Sequence, residues 1–271
     1  MEFSVYSLIF FLVKSAIPIL FVCTLSATGS EWNNGFVISR RATNDKLGMF
    51  SPYTFFRCSV LDPKYTLTVS AGQTANGLYD SLCHVLEQYI TNTFAPLPDR
   101  LSEAVLKNII ENGPALMKDL KNLDLRGNMM LNSAWALNHS LGLGTNQCWG
   151  THKLGHELTA HYGMDHGKTL ALIMPNLWRH FFDVMKFKLA QMARRVFGKS
   201  GSFVDEDAEY AIRKVEEWTQ EIGMKLRIRD YVKEPNIQAA VQQLTNGVWK
   251  LENGNPFGES GMITKKDAQE I

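Results

Sequence analysis

The stretch Thr151–His166, THKLGHELTAHYGMDH, holds four of the chain's seven histidines. His152 and His156 lie four apart, a spacing that puts two imidazoles on one face of a helix. His166 follows fourteen residues after His152, and an unbroken helix would return it to within about 40° of the same side. Gly163 and Gly167 flank it, however, and predict a helix end there. His161 falls about half a turn from His152 and is expected at the surface. The HExxH pattern of a zinc protease is not met, because three residues separate Glu157 from His161 where the pattern has two. Upstream, YDSLCHVLEQY places Asp80 and His84 four apart, again on one helical face. One carboxylate and three imidazoles form a nitrogen-and-oxygen ligand set. It suits a divalent transition metal such as Fe²⁺ or Zn²⁺ and is too rich in nitrogen for Mg²⁺ or Ca²⁺. The plain alternative is a group of polar helix-surface residues with ordinary partners, and on spacing alone the two readings stand level.

The elements that must carry these residues are legible in outline. The chain has 271 residues, 45% of them hydrophobic, enough for a sizeable core. A formal net charge of +1 with no long basic run argues against a nucleic-acid partner. Cys23, Cys58, Cys83 and Cys148 form no CxxC pair and read as free thiols in a reducing, cytoplasmic setting. The N-terminal apolar stretch is broken by Lys14 and Pro18, which argues against a membrane span. It also lacks the basic start of a secretory signal, although its apolar middle and the small residues of LSA fit one. A strand within IPILFVCTL after a loose leader is the main expectation, with a targeting segment as the alternative. Up to about Ser70 the sequence predicts short strands and turns: FVISRR, a turn at ATNDK, then RCSVLDP ended by Asp62-Pro63. From about Ala71 the apolar period becomes helical. Leu78, Leu82, Val85, Leu86 and Tyr89 share one stripe, and Leu101, Val105, Leu106, Ile109 and Ile110 another, with Gly113-Pro114 predicted to stop that helix. Ala211, Ile212, Val215, Trp218 and Ile222 repeat the pattern up to a C-cap at Gly223.

DSLCHVLEQY followed by THKLGHELTAHYGMDHGKTLALIMPNLW closely resembles the iron-containing (group III) alcohol dehydrogenases, in particular their NADP-dependent butanol dehydrogenase and aldehyde reductase branch. The likeness runs from about Lys14 to the C-terminus. It implies that Asp80, His84, His152 and His166 are the metal ligands and that His156 is a non-ligand histidine beside substrate and nicotinamide, either relaying a proton or forming a wall. TLSATGSEWN resembles the segment that this family lays against its cofactor, so Thr24, Thr28 and Asn33, with Lys46 and Tyr65, match cofactor-contacting positions. The implied fold is mainly α, of the dehydroquinate synthase-like type. A divergent leader at 1–14 and a remnant of an α/β nucleotide-binding domain at 15–70 would precede a helical metal-binding domain at 71–271. The implied reaction is hydride transfer between NADP, or NAD, and a primary alcohol or aldehyde at Fe²⁺ or Zn²⁺, in a family of homodimers. Family members carry a glycine-rich loop for the pyrophosphate, and no counterpart stands in this sequence; Gly142 and Gly144 of LGLGTN lack the strand-loop-helix setting. The resemblance therefore predicts a chain lacking the nucleotide-binding half, which holds metal but turns over aldehyde poorly. A non-catalytic metal-binding fragment is the alternative.

Overall fold

The computed structural model describes residues 14–201 and 203–271; the expected leader, save Lys14, lies outside the described residues. The first part carries two small sheets. Strand β1 (Leu20–Val22) pairs in parallel with β4 (Cys58–Val60), in the register Leu20 to Cys58. Between them, β2 (Gly35–Arg40) and β3 (Asp45–Phe50) form an antiparallel hairpin. The strand expected within IPILFVCTL is thus only three residues long. The predicted turn at ATNDK is shorter than its sequence reads: it closes by Asn44, which takes a left-handed φ of 52°, and Lys46 already lies in β3. Leu20, Val22, Val37, Ile38 and Val60 of these strands are solvent-exposed.

From Ala71 onward the chain is helical: α1 (Ala71–Tyr89), α2 (Pro96–Lys118), α3 (Leu123–Ala136), α4 (Gly150–Tyr162), α5 (His166–His180), α6 (Phe182–Arg195), α7 (Val204–Glu221), α8 (Ile237–Leu251) and α9 (Lys265–Glu270). The central element is α1. Every residue from Thr74 to Tyr89 is buried, as expected of a helix packed on all sides. It contacts α2, α3, α4 and α5. Its start is capped by Ser70, whose Oγ accepts from the Gln73 N–H at 3.3 Å. The predicted cap of α7 is present. Gly223 sits at φ 87°, its N–H bonded to the Gln220 carbonyl and that of Met224 to the Thr219 carbonyl, the two bonds of a Schellman ending.

Gly113-Pro114 does not stop α2, which continues four residues beyond the proline to Lys118. Proline removes the N–H that would bond to the carbonyl four residues back. Here that carbonyl, Ile110 O, accepts instead from the Trp218 indole N–H of α7 at 3.1 Å. The same indole lies against Gly113, where an added Cβ would come within 3.0 Å of it. Trp218→Phe is therefore expected to cost about 1–3 kcal/mol by stranding this carbonyl. In a Pro114→Ala background the restored N–H should reduce that cost, and a double-mutant cycle of denaturant midpoints checks it.

Candidate metal centre

Asp80 and His84 are presented one turn apart by α1, His152 comes from the first turn of α4, and His166 opens α5. The route to His166 is not one continuous helix. Gly163, at φ 64°, ends α4, and the chain re-enters a helix at His166 after Asp165. Two glycines, Gly77 just before the Asp80–His84 pair and Gly167 just after His166, make the approach of these elements possible. Gly77 of α1 lies directly under the Ser26 carbonyl, and Gly167 of α5 lies on the Asn76 backbone of α1; a Cβ at either would collide with main chain.

Asp80 Oδ1 is 3.6 Å from each of three imidazole nitrogens, the Nε2 atoms of His84, His152 and His166. These separations are too long for hydrogen bonds. Asp80 Oδ1 and His152 Nε2 are both buried and have no hydrogen-bond partner. Buried polar atoms are ordinarily paired, so two unpaired atoms facing each other call for a third body between them. Ligand atoms about 2.1 Å from a tetrahedral centre stand about 3.4 Å apart, close to the spacing seen. The residues therefore fit a divalent transition ion. Electrostatics agree: burial pushes the Asp80 carboxyl up, but His84, His166 and His152 outweigh it and hold it well below the usual carboxylate range. Burial pushes His84 down to about 4 and His166 to about 3, so both offer neutral rings with a free lone pair.

One partner was not foreseen. Glu87, two turns after Asp80 on α1, hydrogen-bonds His152 Nδ1 and accepts the Thr151 N–H at 2.6 Å. A single carboxylate thus caps α4, fixes the His152 ring, and directs its Nε2 toward Asp80. Against burial, which lowers it, Glu87 and Asp80 raise His152 to about 9. The seven-residue step from Asp80 to Glu87 was the signal available in the sequence.

His156 lies one turn along α4, its ring 5.1 Å from that of His166 and 6.4 Å from that of His152. It faces Gly48 of β3. Burial, then Lys46, His166 and His152, push His156 down to about 2, so its ring is neutral at any working pH. Lys46, also on β3, is half-buried, and burial lowers it against the pull of Asp80. Thr24, Thr28 and Tyr65 are exposed. Asn33 is buried and fully used inside the protein: its amide donates to the Thr28 and Gly29 carbonyls and its Oδ1 accepts from the Gly35 N–H. It shapes the Thr28 turn. The loop before that turn is seated on α1, where the Ser81 hydroxyl donates to the Ala27 carbonyl at 3.1 Å. His161 turns away from the centre toward Gln243 and Glu157, and His139 bonds Asn34.

Glu157 is the unexpected neighbour of this region. It is 2% exposed, both carboxylate oxygens lack a hydrogen-bond partner, and Gly247 of α8 leaves it just enough room. The facing groups are His161 Nε2 at 3.5 Å, Asp45 of β3 and Lys250, whose Nζ is held by Asp45 at 2.8 Å. Burial, with Asp45 adding and Lys250 opposing, pushes its carboxyl up from 4.5 to about 7. The folded state therefore binds this proton more tightly than the unfolded state, and the contribution is lost as pH rises from about 4.5 through about 7. The loss is on the order of 2–3 kcal/mol. Denaturation of Glu157→Gln between pH 5 and 7.5 should show a flatter stability profile than the wild type; an unchanged slope would place the titration elsewhere.

A mainly helical fold brings three histidines and one aspartate together, with the β3 strand of the first part packed against the helix that carries His152 and His156. A family model described as Fe-containing alcohol dehydrogenase family, C-terminal, matches residues 74–264, and the chain belongs to that family. The NADPH-dependent aldehyde reductase YqhD of Escherichia coli (strain K12) is 43% identical over 220 residues, covering 81% of this chain and 57% of that protein. The probable NADH-dependent butanol dehydrogenase 1 of Bacillus subtilis (strain 168) is 35% identical over 263 residues, covering 95% and 66%. The crystal structure of E. coli YqhD superposes with a TM-score of 0.91 at 38% identity, over 96% of this chain and 66% of that one. The chain thus spans between 57% and 66% of the length of these relatives. Among the described residues no helix is long and apolar enough to cross a membrane.

Proposed function

We propose that this chain carries the metal centre of an NAD(P)-dependent alcohol dehydrogenase or aldehyde reductase acting on small primary alcohols or aldehydes. The observation that carries the reading is the common 3.6 Å separation of Asp80 Oδ1 from three imidazole nitrogens, around unpartnered buried atoms. Asp80, His84, His152 and His166 hold the ion, Fe²⁺ or Zn²⁺. When bound, the metal supplies Lewis acidity toward the substrate oxygen and the nicotinamide gives or accepts the hydride. The protein's own groups do the rest. Glu87 keeps His152 in one tautomer. His156, neutral and walled by β3, accepts a proton at one ring nitrogen as it gives one up at the other. Lys46 brings positive charge to the same side, and Thr24, Thr28 and Tyr65 offer exposed hydroxyls for a cofactor, with Asn33 shaping their turn. The relatives' names divide between NADPH and NADH. NADP is the preferred assignment here, on the higher identity to the NADPH-dependent relative.

The test mixes metal-loaded protein with NADPH or NADH and butyraldehyde. Tryptophan-sensitised nicotinamide fluorescence reports binding, and absorbance reports oxidation. The reading expects cofactor binding that Lys46→Ala weakens, and any aldehyde consumption to require the metal. Failure of metal-loaded protein to bind either nicotinamide would leave a metal-binding module and refute the oxidoreductase reading.

A further inference from the structure

Helix α1 carries two overlapping ligand pairs at i,i+4 spacing: Asp80 with His84, and Cys83 with Glu87. Only the first belongs to the centre described above. The second faces the opposite edge of the same His152 ring. His152 Nε2 looks toward Asp80, while Nδ1 is hydrogen-bonded by Glu87 and lies 3.8 Å from Cys83 Sγ. One ligand atom each from Cys83, Glu87 and His152 lie within 4.8 Å of one another, all three residues are buried, and the thiol is free.

Sulfur, carboxylate and imidazole together make a softer donor set than the Asp-His₃ centre. Thiolate selects thiophilic ions such as Zn²⁺ and Cd²⁺ over hard or borderline oxygen-seeking ones. A neutral imidazole has one lone pair to give, so a ring that binds metal through Nδ1 carries its proton on Nε2. We propose that Cys83, Glu87 and His152 Nδ1 form a second metal site for thiophilic divalent ions. It competes with the first for His152, so that filling it withdraws one ligand from the Asp80 centre. The proposal rests on the reading of that centre as a metal site. In the exchange, bonds form from the metal to Cys83 Sγ, to His152 Nδ1 and to a Glu87 oxygen. The Cys83 thiol proton leaves to solvent, the bond from His152 Nε2 to any ion in the first site breaks, the ring proton passes from Nδ1 to that Nε2, and the Glu87–His152 hydrogen bond is lost. No group is oxidised or reduced. Glu87 is then the pivot: bonded to the ring it supports the first site, and bonded to metal it supports the second.

The experiment titrates Cd²⁺ into the metal-free 271-residue protein bearing Cys58→Ser, which removes the exposed thiol. Ultraviolet thiolate-to-cadmium charge transfer is the readout. The expected result is a band that saturates at one ion per chain, disappears in Cys83→Val, and persists in Asp80→Asn. Cys83→Ala serves in place of valine if the larger side chain disturbs the fold, judged by circular dichroism. Absence of the band in the Cys58→Ser protein, its survival without the Cys83 thiol, or its loss in Asp80→Asn would each overturn the proposal. The reading of the first site stands or falls separately, on whether Asp80→Asn loses bound Fe²⁺ or Co²⁺, ions that do not depend on Cys83.

Discussion

Asp80→Asn is expected to lose its bound metal and, with it, the stability that the metal confers. Asp80 faces all three imidazoles of the proposed set, each at 3.6 Å, and is the one anionic member of that set. An ion that binds only the native state contributes about 4 kcal/mol when present at a thousandfold excess over its dissociation constant. The proposed ligands come from α1, α4 and α5, so an ion held by them would also tie together segments separated by 86 residues, from Asp80 to His166. Elemental analysis and melting curves, with and without chelator, check both halves. The account predicts a large stability gap between wild type and variant in the presence of metal that narrows when metal is stripped. An equal gap under both conditions would mean that Asp80 acts as an ordinary buried carboxylate.

Gly167→Ala is expected to be nearly as damaging, although it removes no ligand. A Cβ at Gly167 would lie 2.5 Å from the Asn76 carbonyl oxygen and 2.6 Å from its Cα. Both are backbone atoms of a fully packed helix, so neither rotates away. The start of α5 must shift instead, carrying His166, its immediate neighbour, off Asp80. Overpacking of this kind costs about 1–3 kcal/mol. Misplacing a ligand by disturbing its support costs about 10- to 100-fold in metal affinity. Gly72→Ala, on the same α1 helix, is the control. Its Cβ meets nothing within 4 Å. That change should leave metal affinity unchanged and stability equal or slightly improved. Isothermal titration with Co²⁺ on both variants gives the comparison.

Much of the centre could be read from spacing because helices translate spacing into direction. Asp80 and His84 sit one above the other on α1, and His152 and His156 on α4, as the four-residue steps require. Helical periodicity brought His166 back to the same side only for an unbroken helix, whereas His166 opens another helix; the glycines on either side marked the break without saying where the next helix points. Pro114 misled for a related reason. Its effect on α2 is decided by Trp218, 104 residues later, which supplies the donor that the proline lacks. Glu87 and Glu157 look alike in sequence, as acidic residues on apolar helices. Tertiary packing gives one a ring nitrogen and a helix N-terminus to satisfy, and leaves the other without a hydrogen-bond partner. The strand segments were recognisable by their β-branched and aromatic runs. Their lengths, three residues in β1 and β4, depend on which neighbours are there to pair with.

The central claim is that one divalent ion sits among Asp80, His84, His152 and His166. A crystal of iron- or zinc-loaded protein, with diffraction collected on both sides of that metal's absorption edge, tests it directly. The account predicts a single strong anomalous peak within bonding distance of Asp80 Oδ1 and the three Nε2 atoms. An anomalous map with no peak there, or with its strongest peak bonded to other residues, would contradict it.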